Sequence, residues 1–69
     1  MLRVSSHAID RYIQRSNDNS RSRKEIREYI VGSILELYIL SKCMDGEYPI
    51  GIDKLYARVY NKTVVTICW

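Results

Sequence analysis

Lys54-Leu55-Tyr56-Ala57-Arg58-Val59-Tyr60 and Thr63-Val64-Val65-Thr66-Ile67-Cys68-Trp69 flank the dipeptide Asn61-Lys62, and the reading of this stretch decides the fold. Both arms are rich in β-branched and aromatic residues, which fit a pleated, half-buried surface. Asparagine tolerates positive φ at the first position of a two-residue turn, although lysine is a less usual second residue than glycine. The stretch therefore predicts a β-hairpin with arms 54–60 and 63–69. A two-residue loop sets Tyr60 opposite Thr63, Val59 opposite Val64, Arg58 opposite Val65 and Tyr56 opposite Ile67. One face of the hairpin is then Leu55, Ala57, Val59, Val64, Thr66 and Cys68, small and apolar, suited to packing beneath helices. The other holds Lys54, Tyr56, Arg58, Tyr60, Val65, Ile67 and Trp69. That second face is too apolar for an ordinary solvent face.

Helices must come from the residues before the hairpin. Ser22-Arg23-Lys24-Glu25 fits a capping box, with Glu25 three residues after a serine N-cap. Ile26, Ile30, Ile34 and Leu37, with Tyr29 beside them, recur at helical spacing, and Arg27 and Glu28 fall on the opposite side. This helix is expected to end between Leu35 and Leu40. Two alternatives stay open: Asp45-Gly46 as a hairpin turn joining strands 37–44 and 47–52, or a helix reaching Cys43 with Gly46 in its last turn. Pro49 and Gly51 make 48–52 at best an edge strand or an irregular connection. Further upstream, Ser6 is the expected N-cap of a helix ending near Ser16, where Ser16-Asn17-Asp18-Asn19-Ser20 is a run of turn formers. Leu2-Arg3-Val4-Ser5 alternates like a short edge strand. The expected architecture is α+β, two helices packed on one face of a small, mainly antiparallel sheet, as a single domain over 1–69.

Composition limits the function classes. A chain of 69 residues has only a thin core. Its two cysteines, Cys43 and Cys68, make no disulfide framework and have no metal-ligand spacing, so reduced thiols and a cytoplasmic setting are expected. No apolar run suits a signal peptide or a membrane span. Gly-rich phosphate loops, CxxC pairs, HExxH and Mg²⁺-type carboxylate clusters are absent, so neither a metal nor a small-molecule cofactor is expected. The net charge is +3. Residues 1–33 carry seven Lys and Arg against four Asp and Glu, whereas 34–69 carry four against four, so the whole excess is N-terminal. Clustered basic charge is an electrostatic footprint for a polyanion.

Two groups of residues have chemistry to offer. His7, Arg11 and Arg15 lie at i, i+4 and i+8, one stripe of the first helix. A helix N-terminus and a neighbouring cation both disfavour imidazolium, leaving a histidine able to accept a proton. Metal-independent RNA cleavage needs a base for the 2′-hydroxyl, cations for the phosphorane and an acid for the leaving oxygen. His7 would be base or acid, Arg11 and Arg15 the phosphate clamp, and Arg58 a further cation. The bland alternative is a structural histidine on a solvated basic face. The second group is Tyr56, Arg58, Tyr60 and Trp69 with Lys54, suited to stacking on bases, to gripping a protein, or to burial beneath residues 37–52. Arg23 and Lys24, in the basic run Arg21–Arg27, would offer an anion the N–H groups of a helix start, or simply form a solvated turn.

The order His7-Ala8-Ile9-Asp10-Arg11, then Arg15, a second amphipathic helix, and Val64-Val65-Thr66-Ile67 resembles the small BrnT-like and RelE-like toxin domains of the barnase–EndoU–colicin–RelE ribonuclease group. The resemblance implies an RNA-directed, metal-independent endoribonuclease with His7, Arg11, Arg15 and a strand residue such as Arg58 or Thr66 lining the site. The long Ile34–Met44 segment departs from that pattern. The competing expectation is a non-catalytic phage or mobile-element interaction protein. It would bind a host or defence protein, or a second copy of itself, through the Tyr56/Arg58/Tyr60/Trp69 face.

Overall fold

A computed structural model describes residues 2–51 and 54–69. Two helices lie on one face of a four-stranded sheet of order β1-β4-β3-β2, where β1 is Arg3–Val4, α1 Ser6–Ser16, α2 Arg23–Leu40, β2 Gly46–Ile50, β3 Leu55–Tyr60 and β4 Thr63–Cys68. The expected α+β architecture holds. The sheet is antiparallel apart from the short edge strand β1, which runs parallel to β4.

Local chemistry explains each element. Ser5, not Ser6, caps α1: its hydroxyl accepts from the Ala8 N–H, and its own N–H donates to the Val64 carbonyl. The strand β1 thus delivers the cap, and Ser6 becomes the first helical residue. Asn17, in the left-handed conformation, closes α1 with its N–H on the Ile13 carbonyl. The capping box of α2 forms as read, with Ser22 accepting from the Glu25 N–H and Glu25 accepting from the Ser22 N–H. At the far end α2 runs to Leu40, so residues 37–44 are not a strand and Asp45-Gly46 is not a hairpin turn. Instead Lys42 and Cys43, both at positive φ, reverse the chain into β2. β2 is an edge strand, and proline is tolerated there at Pro49. Position 52, the end of the expected 48–52 segment, lies outside the described residues.

Asn61 and Lys62 both take positive φ, at 52° and 62°, the geometry of a type I′ turn whose twist matches the strands it joins. Tyr60 faces Thr63 and Val59 faces Val64, as the turn dictates. The register then slips. Arg58 pairs with Thr66, not Val65, and Tyr56 pairs with Cys68, not Ile67. Val65 is the extra residue of a β-bulge, and everything after it changes sides. The physical reason is burial: Ile67 enters the core while Thr66 and Cys68 face outward.

The core collects Ala8, Ile9 and Tyr12 of α1, Ile26, Ile30, Ile34 and Tyr38 of α2, and Leu2, Tyr48, Ile50, Leu55, Ala57, Val59, Val64 and Ile67 below them. The spacing of 26, 30, 34 and 38 is a strict i+4 series, so the buried stripe ends on Tyr38 and not on Leu37, which is 44% exposed. Tyr38 meets Tyr48 edge-on with ring centroids 5.6 Å apart. Its hydroxyl is buried without a hydrogen-bond partner, and burial pushes its pKa up. A buried donor left unpaired is costly, so Tyr38→Phe is expected to raise Tm in a thermal melt.

Gly51 has φ 52°, and a Cβ there would lie 2.6 Å from the Tyr29 hydroxyl oxygen. Gly51→Ala is expected to cost about 1 kcal/mol from the left-handed backbone alone, measured by urea denaturation.

Candidate functional site

The stripe on α1 divides. His7 is exposed, and its Nε2 accepts a long 3.4 Å contact from Arg11 Nε; Arg11 also reaches Gln14 Oε1 at 3.4 Å. No strand side chain among the described residues bonds to either. Arg15 turns away from them toward the sheet. Its Nε donates to the Ile67 carbonyl at 3.0 Å, and its guanidinium lies 4.5 Å from the centre of the Trp69 ring. Trp69 is therefore on the helix side of the sheet, a consequence of the bulge, and does not belong to the open face where regular alternation had placed it.

Arg58 projects from the opposite face. Glu47 stands directly across from it on β2, and their side chains form an ion pair at 2.7 Å. The structure therefore does not bring His7, Arg11, Arg15 and Arg58 to one site. It separates Arg58 from the other three by the thickness of the sheet. Thr66, the alternative strand residue, lies beside Arg58 on that same open face.

The open face carries Tyr56, Arg58 and Tyr60 from β3, Glu47 and Pro49 from β2, and Thr66 and Cys68 from β4. Both helices pack on the other face. Tyr56 and Tyr60 are 40% and 66% exposed. The Arg58 guanidinium beside Glu47 holds that carboxyl below its usual range, and the carboxylate raises Arg58 in turn. Cys68 Sγ lies 3.8 Å from Glu47 Oε2, and burial, followed by the Glu47 charge, pushes its thiol pKa up. A protonated thiol is a poor nucleophile. Cys68 is expected to react with iodoacetamide at neutral pH several-fold more slowly than exposed Cys43, as mass spectrometry of the labelled peptides would read.

The remaining predicted binding residues scatter. Lys54 is exposed in the turn leading to β3. Arg23 is spent on α1, with Nη1 on Asp10 Oδ1 at 2.6 Å and Nη2 on the Ser6 carbonyl at 3.2 Å. Lys24 is exposed at the start of α2.

A concavity opens where the α1–α2 loop meets the sheet. It holds about 600 Å³ and is lined by Tyr12, Arg15, Ser16, Asp18, Ser20, Arg21 and Leu55. Arg21 is its organising side chain. It pairs with Asp18, donates to the Tyr12 hydroxyl at 3.1 Å, and stacks 4.4 Å from the centre of the Tyr29 ring. The Arg21 hydrogen bond is the largest cause holding the Asp18 carboxyl below its ordinary 3.8, with the Ser20 N–H adding to it. A carboxyl depressed on folding stabilises fully above its unfolded value and loses that contribution as the pH falls through the depressed one. Arg21→Ala is therefore expected to narrow the stability difference between pH 6 and pH 2.5, read as the shift in the urea midpoint. Arg21 and Asp18 were legible only as a basic run and a turn former. Glu47 was missed altogether, because its partner on Arg58 depends on where β2 begins.

Among the described residues no group of three or more His, Cys, Asp or Glu side chains could hold a metal ion, and no helix is long and apolar enough to cross a membrane. The chain matches no protein-family model, no curated protein and no solved structure.

Proposed function

We propose that this chain is a small non-catalytic binding module that engages a protein partner through the open face of its sheet. The observation that carries the reading is the uncovered row Tyr56-Arg58-Tyr60 on a central strand. Tyrosine and arginine are the side chains most enriched at interface hot spots, and here a rigid strand holds them in place. Glu47 neutralises Arg58, which suits a mixed protein surface better than a polyanion, whose affinity comes from unneutralised cations. The test places a photo-crosslinking residue at Thr63, beside Tyr60, to capture and identify the partner. The purified complex is then titrated by calorimetry. Tyr60→Ala with Arg58→Ala is expected to weaken binding at least about 100-fold, as loss of two hot-spot side chains would. An unchanged affinity in a folded double variant would sink the proposal.

A second reading keeps RNA as the target. Its support is Arg15 at the α1–α2 concavity, a guanidinium in no ion pair among the described residues, with the Trp69 ring beside it as an aromatic platform. It predicts salt-dependent binding of single-stranded RNA that Arg15→Ala and Trp69→Ala abolish. The toxin-type version of it further predicts growth arrest on expression, relieved by His7→Ala. Harmless expression together with intact RNA in vitro removes that version.

A further inference from the structure

We infer that α2 is also the seat of a weak homodimer, in which two copies of the helix pack antiparallel about a two-fold axis at Leu35. The inference goes beyond the sheet-face reading and uses a different surface.

The second half of α2 is apolar on more than its buried side. Leu35 and Ile39 are 40% and 59% exposed, and Val31 is half-buried on the same flank. Helices apolar around most of their circumference are normally covered. Glu28, Val31, Leu35 and Ile39 follow each other at steps of three, four and four residues, which keeps them within an arc of about 80° on a helix of 3.6 residues per turn. That arc flanks the buried series Ile26, Ile30, Ile34 and Tyr38, with Val31 at its inner edge packed against the core and Leu35 and Ile39 turned outward. Gly32 adjoins it, and nothing lies within 4 Å of where its Cβ would be, so a second backbone can approach there.

A two-fold interface must be complementary to itself. Antiparallel packing about Leu35 sets Leu35 against Leu35 and Val31 against Ile39, and it brings Glu28 beside the turn after the partner helix, where Lys42 is exposed and its long side chain can reach the carboxylate. Two acid–base pairs then close the two ends of an apolar seam. Among the described residues neither Glu28 nor Lys42 takes part in an ion pair within the chain. The balanced charge of this flank also argues for a second copy over an anionic lipid surface, which selects a basic polar face. Leu37, Leu40 and Met44 lie on the other flank and take no part in this contact. Two such seams would withdraw on the order of 800 Å² in total, at the low end for specific association, so the dimer is expected in the micromolar range.

Sedimentation equilibrium of the full chain, from about 5 μM to 1 mM, tests this against the affinities that interface size allows. The wild type is expected to show a monomer–dimer equilibrium. Leu35→Glu should be monomeric throughout while keeping its helical circular dichroism. Glu28→Lys should weaken the dimer about tenfold, and Glu28→Lys with Lys42→Glu should restore it, because the swapped charges face each other again. A wild type monomeric at the highest concentration overturns the inference. So does a dimer that survives Leu35→Glu, one that is lost on Tyr60→Ala, or a charge-swapped double variant that fails to recover.

Discussion

Ile67→Ala is expected to lower the unfolding free energy by about 2–4 kcal/mol, whereas Cys68→Ala should change it by less than about 1 kcal/mol. Ile67 is 1% exposed between the helices and the sheet, and truncating it opens a cavity in the packed core. Cys68 looks outward across Tyr56 and Glu47. A hairpin of regular register would reverse the ranking, with Cys68 inside and Ile67 outside. Urea denaturation of the two variants therefore reads the bulge at Val65 directly. A chain of 69 residues has about 3–10 kcal/mol of stability in all, so the Ile67 variant would stand near the edge of folding. A larger loss from Cys68→Ala than from Ile67→Ala would mean the strand is regular and the open face is not as described.

Tyr12→Ala is expected to be at least as damaging, at about 3–5 kcal/mol, the range for truncating a buried aromatic ring. Tyr12 is 1% exposed, and several contacts converge on it. Its carbonyl accepts from the Ser16 hydroxyl at 2.6 Å, its hydroxyl accepts from Arg21, and its ring lies 6.0 Å from that of Tyr29. Losing the ring empties the core beneath α1 and also releases Arg21, so the far end of the loop from Asn17 to Arg21 loses its hold on the first helix. Tyr12→Phe separates the two effects. It keeps the packing and removes only the hydroxyl, for about 1 kcal/mol. In nuclear magnetic resonance spectra the Phe variant should shift amides of residues 17–22 while sparing β2 and β3. A Tyr12→Ala protein with wild-type denaturation would contradict the packing described for α1.

How far the sequence revealed this architecture depends on how local the deciding physics is. The capping box at Ser22, the turn at Asn61-Lys62 and the apolar series of α2 as far as Ile34 are settled by neighbours within a few residues, and each was legible. The bulge was not. Val64 and Val65 are equally at home in a strand, and only the fit of Ile67 against the helices selects which residue is extra. The cap of α1 moved from Ser6 to Ser5 because the N–H of Ser5 binds Val64, a partner remote in sequence. The candidate site failed in the same way. Spacing placed His7, Arg11 and Arg15 on one stripe, yet the carbonyl of Ile67 and the ring of Trp69 draw Arg15 away. Arg58 was legible as an exposed cation between tyrosines, but the partner that neutralises it is set by the register of β2 against β3, which no local signal marks.

The tie between Ser5 and β4 bears on the order in which the molecule can be assembled. The Arg3 N–H donates to the Lys62 carbonyl and the Ser5 N–H to the Val64 carbonyl, so the cap of the first helix rests on the last strand. A ribosome makes α1 long before residues 62–65, and during that interval the helix lacks both its anchor and the sheet it covers. Short isolated helices are marginal in water. The contacts that fix the first helix therefore form only after the hairpin has been made, which ties the early half of the fold to residues about sixty positions later.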